Sequence, residues 1–83
     1  MKVHLRYFAS IREALGTGSE SIDTHAATLA ALRTELAARG GAYAQALAPG
    51  RAVRVALNQT LSDETAALSE GAEVGFFPPV TGG

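Results

Sequence analysis

Strand patterns at both ends of the chain, separated by one amphipathic helix, limit its fold more than any other feature. Residues 2–8 alternate polar and apolar side chains, and residues 73–77 form a second, aromatic-rich pattern. Both patterns are typical of strands with one buried face. Between them, Leu29, Leu32 and Leu36 follow the spacing of a helix with one apolar stripe. Because 83 residues leave room for one domain, we expect the first and last strands to be neighbours in one sheet.

The remaining segments predict the order strand, helical turn, strand, helix and three strands. Ser10 and Glu13 match a capping box for a short helix that ends at Gly16. Thr28 is the predicted N-cap of the main helix, and the glycine pair at 40–41 is its predicted C-terminal stop. The shorter pieces are strands at 20–24 and 52–57, a helical piece at 43–47, a turn at 58–59, a strand from Leu61 and a loop at 63–71. The predicted fold class is α+β, with a mixed sheet and the main helix on one face.

The predicted core follows from the same alternation and helical spacing. Its members are Val3, Leu5, Tyr7, Ile22, Leu29, Leu32, Leu36, Val53, Val55, Leu57, Leu68 and Val74.

Composition excludes several classes of site. The chain has no cysteine, so it forms no disulfide, thiolate zinc site or iron–sulfur cluster and has no cysteine nucleophile. The two histidines, His4 and His25, have no carboxylates clustered around them, and we predict no metal site. A net charge of −1 lacks the basic footprint of a nucleic-acid-binding protein. With no long apolar run and no secretory signal pattern, we expect a cytoplasmic protein that makes no membrane contact.

The last seven residues are the most informative segment. Phe77 precedes Pro78 and Pro79, so strand pairing is expected to stop there. We therefore predict a domain at 1–77 and a flexible tail at 78–83. Glycine has no Cβ, so Gly82 and Gly83 would fit a narrow channel as a backbone thread. An ordinary flexible end rich in small residues is the alternative interpretation of this segment.

The chemistry open to such a tail is that of its α-carboxylate. ATP converts a carboxylate to an acyl-adenylate, and a nucleophile then displaces AMP. With sulfide as the nucleophile, the product is a thiocarboxylate that carries one transferable sulfur. Since the chain has no cysteine, a sulfur that it carried covalently would have to be held at this end.

Four stretches of the chain resemble the small, sulfur-carrying subunit of molybdopterin synthase. They are residues 3–13 (VHLRYFASIRE), 28–33 (TLAALR), 55–59 (VALNQ) and 71–83 (GAEVGFFPPVTGG). The resemblance covers nearly the whole chain, and its final stretch is the most specific. It implies a ubiquitin-like β-grasp fold of about five strands.

The resemblance also implies a role for the tail. Gly83 would be adenylated by a ubiquitin-activating-like adenylyltransferase that uses ATP, and would then carry sulfur as a thiocarboxylate. Thr81 and Gly82 would thread into the large subunit, within a heterotetramer of two small and two large subunits. Sulfur would pass there to cyclic pyranopterin monophosphate. The chain would bind no cofactor of its own and would not be an enzyme alone.

The partner-binding residues that the resemblance implies are Arg12, Phe77, Pro78, Pro79 and Val80. Alternation on the last strand places Phe76 in the core and Phe77 outward, where an exposed ring is a credible interface anchor. Packing of Phe77 beneath the 63–71 loop is the alternative.

Other assignments stay open at this point. Arg6, Arg51 and Arg54 form either a basic patch or ordinary solvated positions. Two further functions are also compatible with the diglycine: a sulfur carrier for thiamin or tRNA thiolation, and a protein modifier joined to lysines.

Overall fold

A five-stranded mixed sheet with its helices on one face forms the fold in the computed structural model, which describes residues 1–79. The elements are β1 (Lys2–Tyr7), α1 (Ala9–Leu15), β2 (Ser19–Asp23), α2 (Leu29–Ala37), α3 (Gly41–Leu47), β3 (Arg54–Leu57), β4 (Thr60–Leu61) and β5 (Glu73–Phe77). The strand order is β2-β1-β5-β3-β4. β1 runs parallel to β5, and every other neighbouring pair is antiparallel. This is the predicted α+β, ubiquitin-like β-grasp, and the first and last strands are neighbours as expected.

The core lies between the sheet and the helices. Leu29, Leu32 and Leu36 are fully buried on α2, which confirms the helix face. Val3, Leu5, Tyr7, Val55, Leu68 and Val74 are buried as predicted. Ile22, Val53 and Leu57 are only partly buried. They lie towards the margins of the sheet or, for Val53, just before β3, where fewer side chains cover them. Ile11 and Leu47 are core residues that the alternation did not predict.

Helix ends follow the predictions in two cases and depart from them in two. Gly16 ends α1 in the left-handed conformation, as predicted. Thr28 is the N-cap of α2, and its Oγ accepts a hydrogen bond from the Ala31 N–H at 3.2 Å. The capping box at Ser10 is wrong, because α1 begins at Ala9 and Phe8 takes the cap position without a side-chain bond. The predicted stop at Gly40 is also wrong: α2 already ends at Ala37, and Gly40 has a positive φ as the N-cap of α3.

A buried arginine ties α2 to the segment that leads into β3. Arg33 is 3% exposed, and its guanidinium donates to the carbonyls of Leu47 and Ala48 at 2.7 Å each. It also donates to the Glu64 carboxylate at 2.8 Å. These bonds satisfy carbonyls at the C-terminal end of α3, which have no partner within the helix. The buried charge is therefore paired, and it fixes the path of the chain before β3.

A second polar cluster anchors the edge strand β2 to the helices. The Glu20 carboxylate accepts hydrogen bonds from the hydroxyls of Tyr7 at 2.9 Å and Tyr43 at 2.8 Å, and from Arg39 at 3.0 Å. Burial opposes ionisation of Glu20, but the bonds from Tyr43, Tyr7 and Arg39 lower its pKa overall. Burial and the bond to Glu20 raise the pKa of Tyr7. As an edge strand, β2 pairs with β1 alone. The bonds of Glu20 therefore give β2 a second attachment to the rest of the fold.

None of the described helices is long and apolar enough to cross a lipid bilayer.

Candidate partner-binding site at the base of the tail

The tail leaves the sheet from β5, a strand that is paired on both sides. β5 lies between β1 and β3, with Tyr7 in register with Phe76 and Arg54 in register with Phe77. Pairing ends at Phe77, and Pro78 and Pro79 follow outside the strand. A central strand therefore sets the position from which the tail starts.

The predicted tail residues lie beyond this point. Val80, Thr81, Gly82 and Gly83 are outside the described residues, so their roles remain predictions.

Two adjacent aromatic pairs join the ends of β1 and β5 on opposite faces. Phe76 is fully buried and stacks against Tyr7 in the core, with ring centroids 6.0 Å apart. Phe77 faces outward as predicted, and its ring meets that of Phe8 edge-to-face at 6.3 Å. Phe77 is half-buried, because Phe8 covers part of it. The outer pair therefore forms an aromatic surface beside the start of the tail.

This surface continues into an open apolar groove of about 610 Å³ on the outer face of the sheet. Its lining consists of Phe8, Ala56, Gln59, Leu61, Glu73, Gly75 and Phe77. Phe8 is 41% exposed and Leu61 is 58% exposed. Large apolar side chains exposed together around a groove mark an interaction surface more often than an accident of packing.

Gly75 forms the floor of the groove. A Cβ at this position would lie 3.2 Å from Cε2 of Phe8, which is tighter than ordinary van der Waals contact. The Phe8 ring therefore rests directly on the backbone of β5. Because Gly75 has no Cβ, the ring can approach the strand this closely while it contacts Phe77.

Among the described residues, the structure does not gather the predicted interface residues Arg12, Pro78 and Pro79 into this groove. Arg12 is exposed on α1, and its guanidinium lies along Gly18, where an added Cβ would be 3.1 Å from Nε. Pro78 lines a separate depression of about 410 Å³ between α1 and α3. Pro79 is half-buried. Phe77 is thus the member of the predicted set that belongs to the aromatic groove.

Sequence reasoning missed Phe8, Gly75 and Leu61 as members of the surface. Phe8 takes the outward position of the alternation, where the preceding residues are polar, so the pattern alone gave it no role. The sequence did hold a signal for Phe8. Both the first and the last predicted strands end in two adjacent aromatic residues, so strands that are neighbours would pair these rings on both faces of the sheet.

The described residues offer a docking surface and no set of metal ligands. Within residues 1–79, no group of three or more His, Asp or Glu side chains is arranged to hold a metal ion. The two clusters of charged side chains, around Arg33 and Glu20, are satisfied by hydrogen bonds that tie elements together. The groove, by contrast, has apolar side chains that stay exposed in the described fold.

Comparison with known proteins shows the family of the chain. The model of the ThiS family matches residues 5–83. The chain belongs to the ThiS family. The molybdopterin synthase sulfur carrier subunit of Haemophilus influenzae is 41% identical over 81 residues, which cover 98% of this chain and 99% of that subunit.

Solved structures share the fold. A putative molybdopterin converting factor subunit 1 from Pyrococcus furiosus superposes with a TM-score of 0.79 at 27% identity, over 96% of this chain and 99% of that one. A complex of subunits 1 and 2 of the molybdopterin-converting factor from Helicobacter pylori contains a chain that matches with a TM-score of 0.69 at 28% identity, over the full length of both.

Proposed function

We propose that this ThiS-family protein is the sulfur carrier of molybdopterin synthase and that its reactive group is the α-carboxylate of Gly83. The observation that carries the proposal is the full-length relationship to a sulfur carrier subunit at 41% identity. The family match reaches through the last residue, so the tail belongs to the related region. The fixed exit of the tail from a central strand supports the same role.

The reaction requires two steps at Gly83. The carboxylate attacks the α-phosphate of ATP on an adenylyltransferase of the ubiquitin-activating type, forms an acyl-adenylate and releases pyrophosphate. A sulfide equivalent then displaces AMP and leaves the thiocarboxylate. Thr81 and Gly82 carry this group into the partner's active site, and each sulfur donated to cyclic pyranopterin monophosphate returns the carboxylate after attack by water. We place these steps in the cytoplasm, where ATP is available.

The partner in the transfer step is the large subunit of molybdopterin synthase. The complex of two subunits from Helicobacter pylori supports such a pairing. The aromatic groove beside the tail is the surface on this chain that fits it, because docking there would hold the base of the tail against the partner. Arg12, Pro78, Pro79 and Val80 are proposed to extend the contact, in an assembly of two small and two large subunits.

A change of one residue at the tail tests the proposal. Deleting Gly83, or adding one residue after it, moves the carboxylate but leaves every described contact in place. We expect either change to abolish sulfur transfer in a reconstituted synthase assay and to leave the thermal midpoint unchanged. Full activity from the extended chain would contradict the proposal. Linkage of the chain to lysines, without sulfur transfer, would instead support a protein modifier. Activity only with a thiamin or tRNA thiolation system would indicate a different carrier.

A further inference from the structure

Two arginines flank the aromatic groove on the outer face of the sheet. Arg6 is in register with Gly75, and Arg54 is in register with Phe77. Both arginines are exposed, and the buried Val55 next to Arg54 confirms that Arg54 points away from the core. The two arginines therefore flank β5 on either side, Arg54 at the tail end of the groove and Arg6 beside its middle.

Neither arginine is neutralised within the described fold. The ion pairs formed among residues 1–79 are Arg33–Glu64 and Arg39–Glu20. The guanidinium carbon of Arg6 instead lies 5.7 Å from the centre of the Phe8 ring, within the range of a cation–π contact. This contact holds the positive charge beside the aromatic pair while leaving its hydrogen-bond donors open.

The opposite end of the groove has the opposite charge. Glu73, at the start of β5, lines that end, four residues before Phe77. At about 3.3 Å per residue, Glu73 lies about 13 Å along the sheet from the level of Arg54 and about 7 Å from the level of Arg6. The groove is thus apolar along its length, flanked by positive charge from its middle to the point where the tail begins, and negative at the end furthest from the tail.

We propose that Arg6 and Arg54 select a partner surface that carries carboxylates around an apolar patch, on the side that faces the tail. The inference rests on the proposed function and specifies the partner of the same groove. Apolar contact alone is non-directional, whereas charges at the rim of an interface fix its register and speed association. A carrier that must point its tail into an active site needs such an orientation.

Charge removal at three exposed positions on β1 and β3 tests the inference. The variants are Arg6→Gln, Arg54→Gln, their combination, and Lys2→Gln as the matched control. Lys2 is also an exposed cation of β1, but it lies about 13 Å from Arg6 along the strand, which exceeds the screening length of about 8 Å at physiological salt. Each variant is titrated against the cognate large subunit at low and high salt. The thermal midpoint of each variant is measured without the large subunit.

We expect the double variant to bind about tenfold more weakly at low salt, mainly through a slower association rate. The deficit is expected to shrink as salt rises to about 0.5 M, where exposed charges are screened. Lys2→Gln is expected to bind like the unmodified chain, and all the variants to melt alike. In a double-mutant cycle, neutralising the matching carboxylate of the large subunit is expected to cost nothing further in the Arg54→Gln background.

The two proposals fail in different ways. Equal affinity of the double variant and the unmodified chain at low salt, with sulfur transfer intact, would overturn the charge selection and leave the proposed function standing. An equal loss with Lys2→Gln would also overturn it, since the effect would then be general electrostatics. Failure of the unmodified chain to bind the large subunit at all would overturn both.

Discussion

At the scale of single residues, Phe76 and Phe77 show how one step along a strand separates stability from binding. Phe76 is fully buried against Tyr7, whereas Phe77 is half-buried on the outer face against Phe8. The same substitution at the two positions therefore removes contacts from two different places: the core and the docking groove.

We expect Phe77→Ala to weaken binding to the large subunit by about 2 kcal/mol or more, roughly thirtyfold, because aromatic anchors dominate interfaces. Its effect on the free energy of unfolding is expected to be small. Phe76→Ala is the matched variant, and it is expected to destabilise the fold by about 3–5 kcal/mol. Titration and thermal melting of both variants check this. A large drop in the melting temperature of Phe77→Ala with unchanged binding would assign that ring to stability alone.

Glu20 links the stability of the fold to pH. Its pKa lies below the ordinary value of 4.5 in the folded protein, where burial is outweighed by bonds from Tyr43, Tyr7 and Arg39. A carboxyl whose pKa is lowered by folding stabilises the protein above its unfolded pKa. That contribution is lost as the pH falls below about 4.5 and through the folded value.

We expect Glu20→Gln to lower the free energy of unfolding at pH 7 by about 1–2 kcal/mol, since it weakens hydrogen bonds to a charged acceptor. The difference from the unmodified chain is expected to narrow as the pH falls below about 4.5, where the native carboxyl gains a proton. Denaturant unfolding across pH values measures it. Glu13→Gln, which removes an exposed charge from α1, controls for net charge. A constant difference down to the lowest pH would rule out the ionised Glu20 as its source.

At the scale of elements, the two predicted caps show where sequence patterns succeed. Thr28 sits directly before a helix with a clear leucine stripe, and the structure confirms it as a cap. Ser10 has the right neighbours for a capping box, but α1 starts at Ala9, immediately after β1. The Phe8 N–H bonds to the Phe76 carbonyl at 3.1 Å, so the sheet, and not Ser10, determines where the helix begins.

These caps form a matched pair of variants. Thr28→Ala removes the bond to the Ala31 N–H and is expected to cost about 1 kcal/mol of stability. Ser10→Ala is expected to be nearly neutral, because Ser10 lies exposed inside α1 and does not cap it. Chemical denaturation of both variants measures the contrast. An equal loss from the two substitutions would show that Ser10 also stabilises the start of α1.

The same contrast explains how much of the molecule was predictable. Alternation and helical spacing located the strands, the main helix and the buried Leu29–Leu32–Leu36 stripe. Residues whose roles depend on contacts with segments far away in the sequence were not predicted. Arg33 bonds to carbonyls 14 and 15 positions away, and Phe8 becomes part of the groove only when β5 lies beside β1. Of the candidate site, the outward direction of Phe77 was predictable and its aromatic partner was not.

At the scale of the whole molecule, the folded domain is distinct from the C-terminal residue that is proposed to carry the sulfur. The parallel pairing of β1 with β5 places the C-terminal end of β1 beside the C-terminal end of β5, in the middle of the sheet. The base of the tail, the aromatic groove and the flanking arginines consequently occupy one region. In the proposed function, this region orients the carrier while Gly83 holds the sulfur.

The most direct test is the intact mass of the chain after incubation with ATP, the adenylyltransferase and a sulfur donor. We expect a gain that corresponds to the exchange of one oxygen for one sulfur, located at Gly83 by fragmentation and absent without ATP. The chain extended beyond Gly83 is expected to show no gain. An unchanged mass for the unmodified chain, or the same gain in the extended chain, would contradict the assignment of Gly83 as the sulfur-carrying residue.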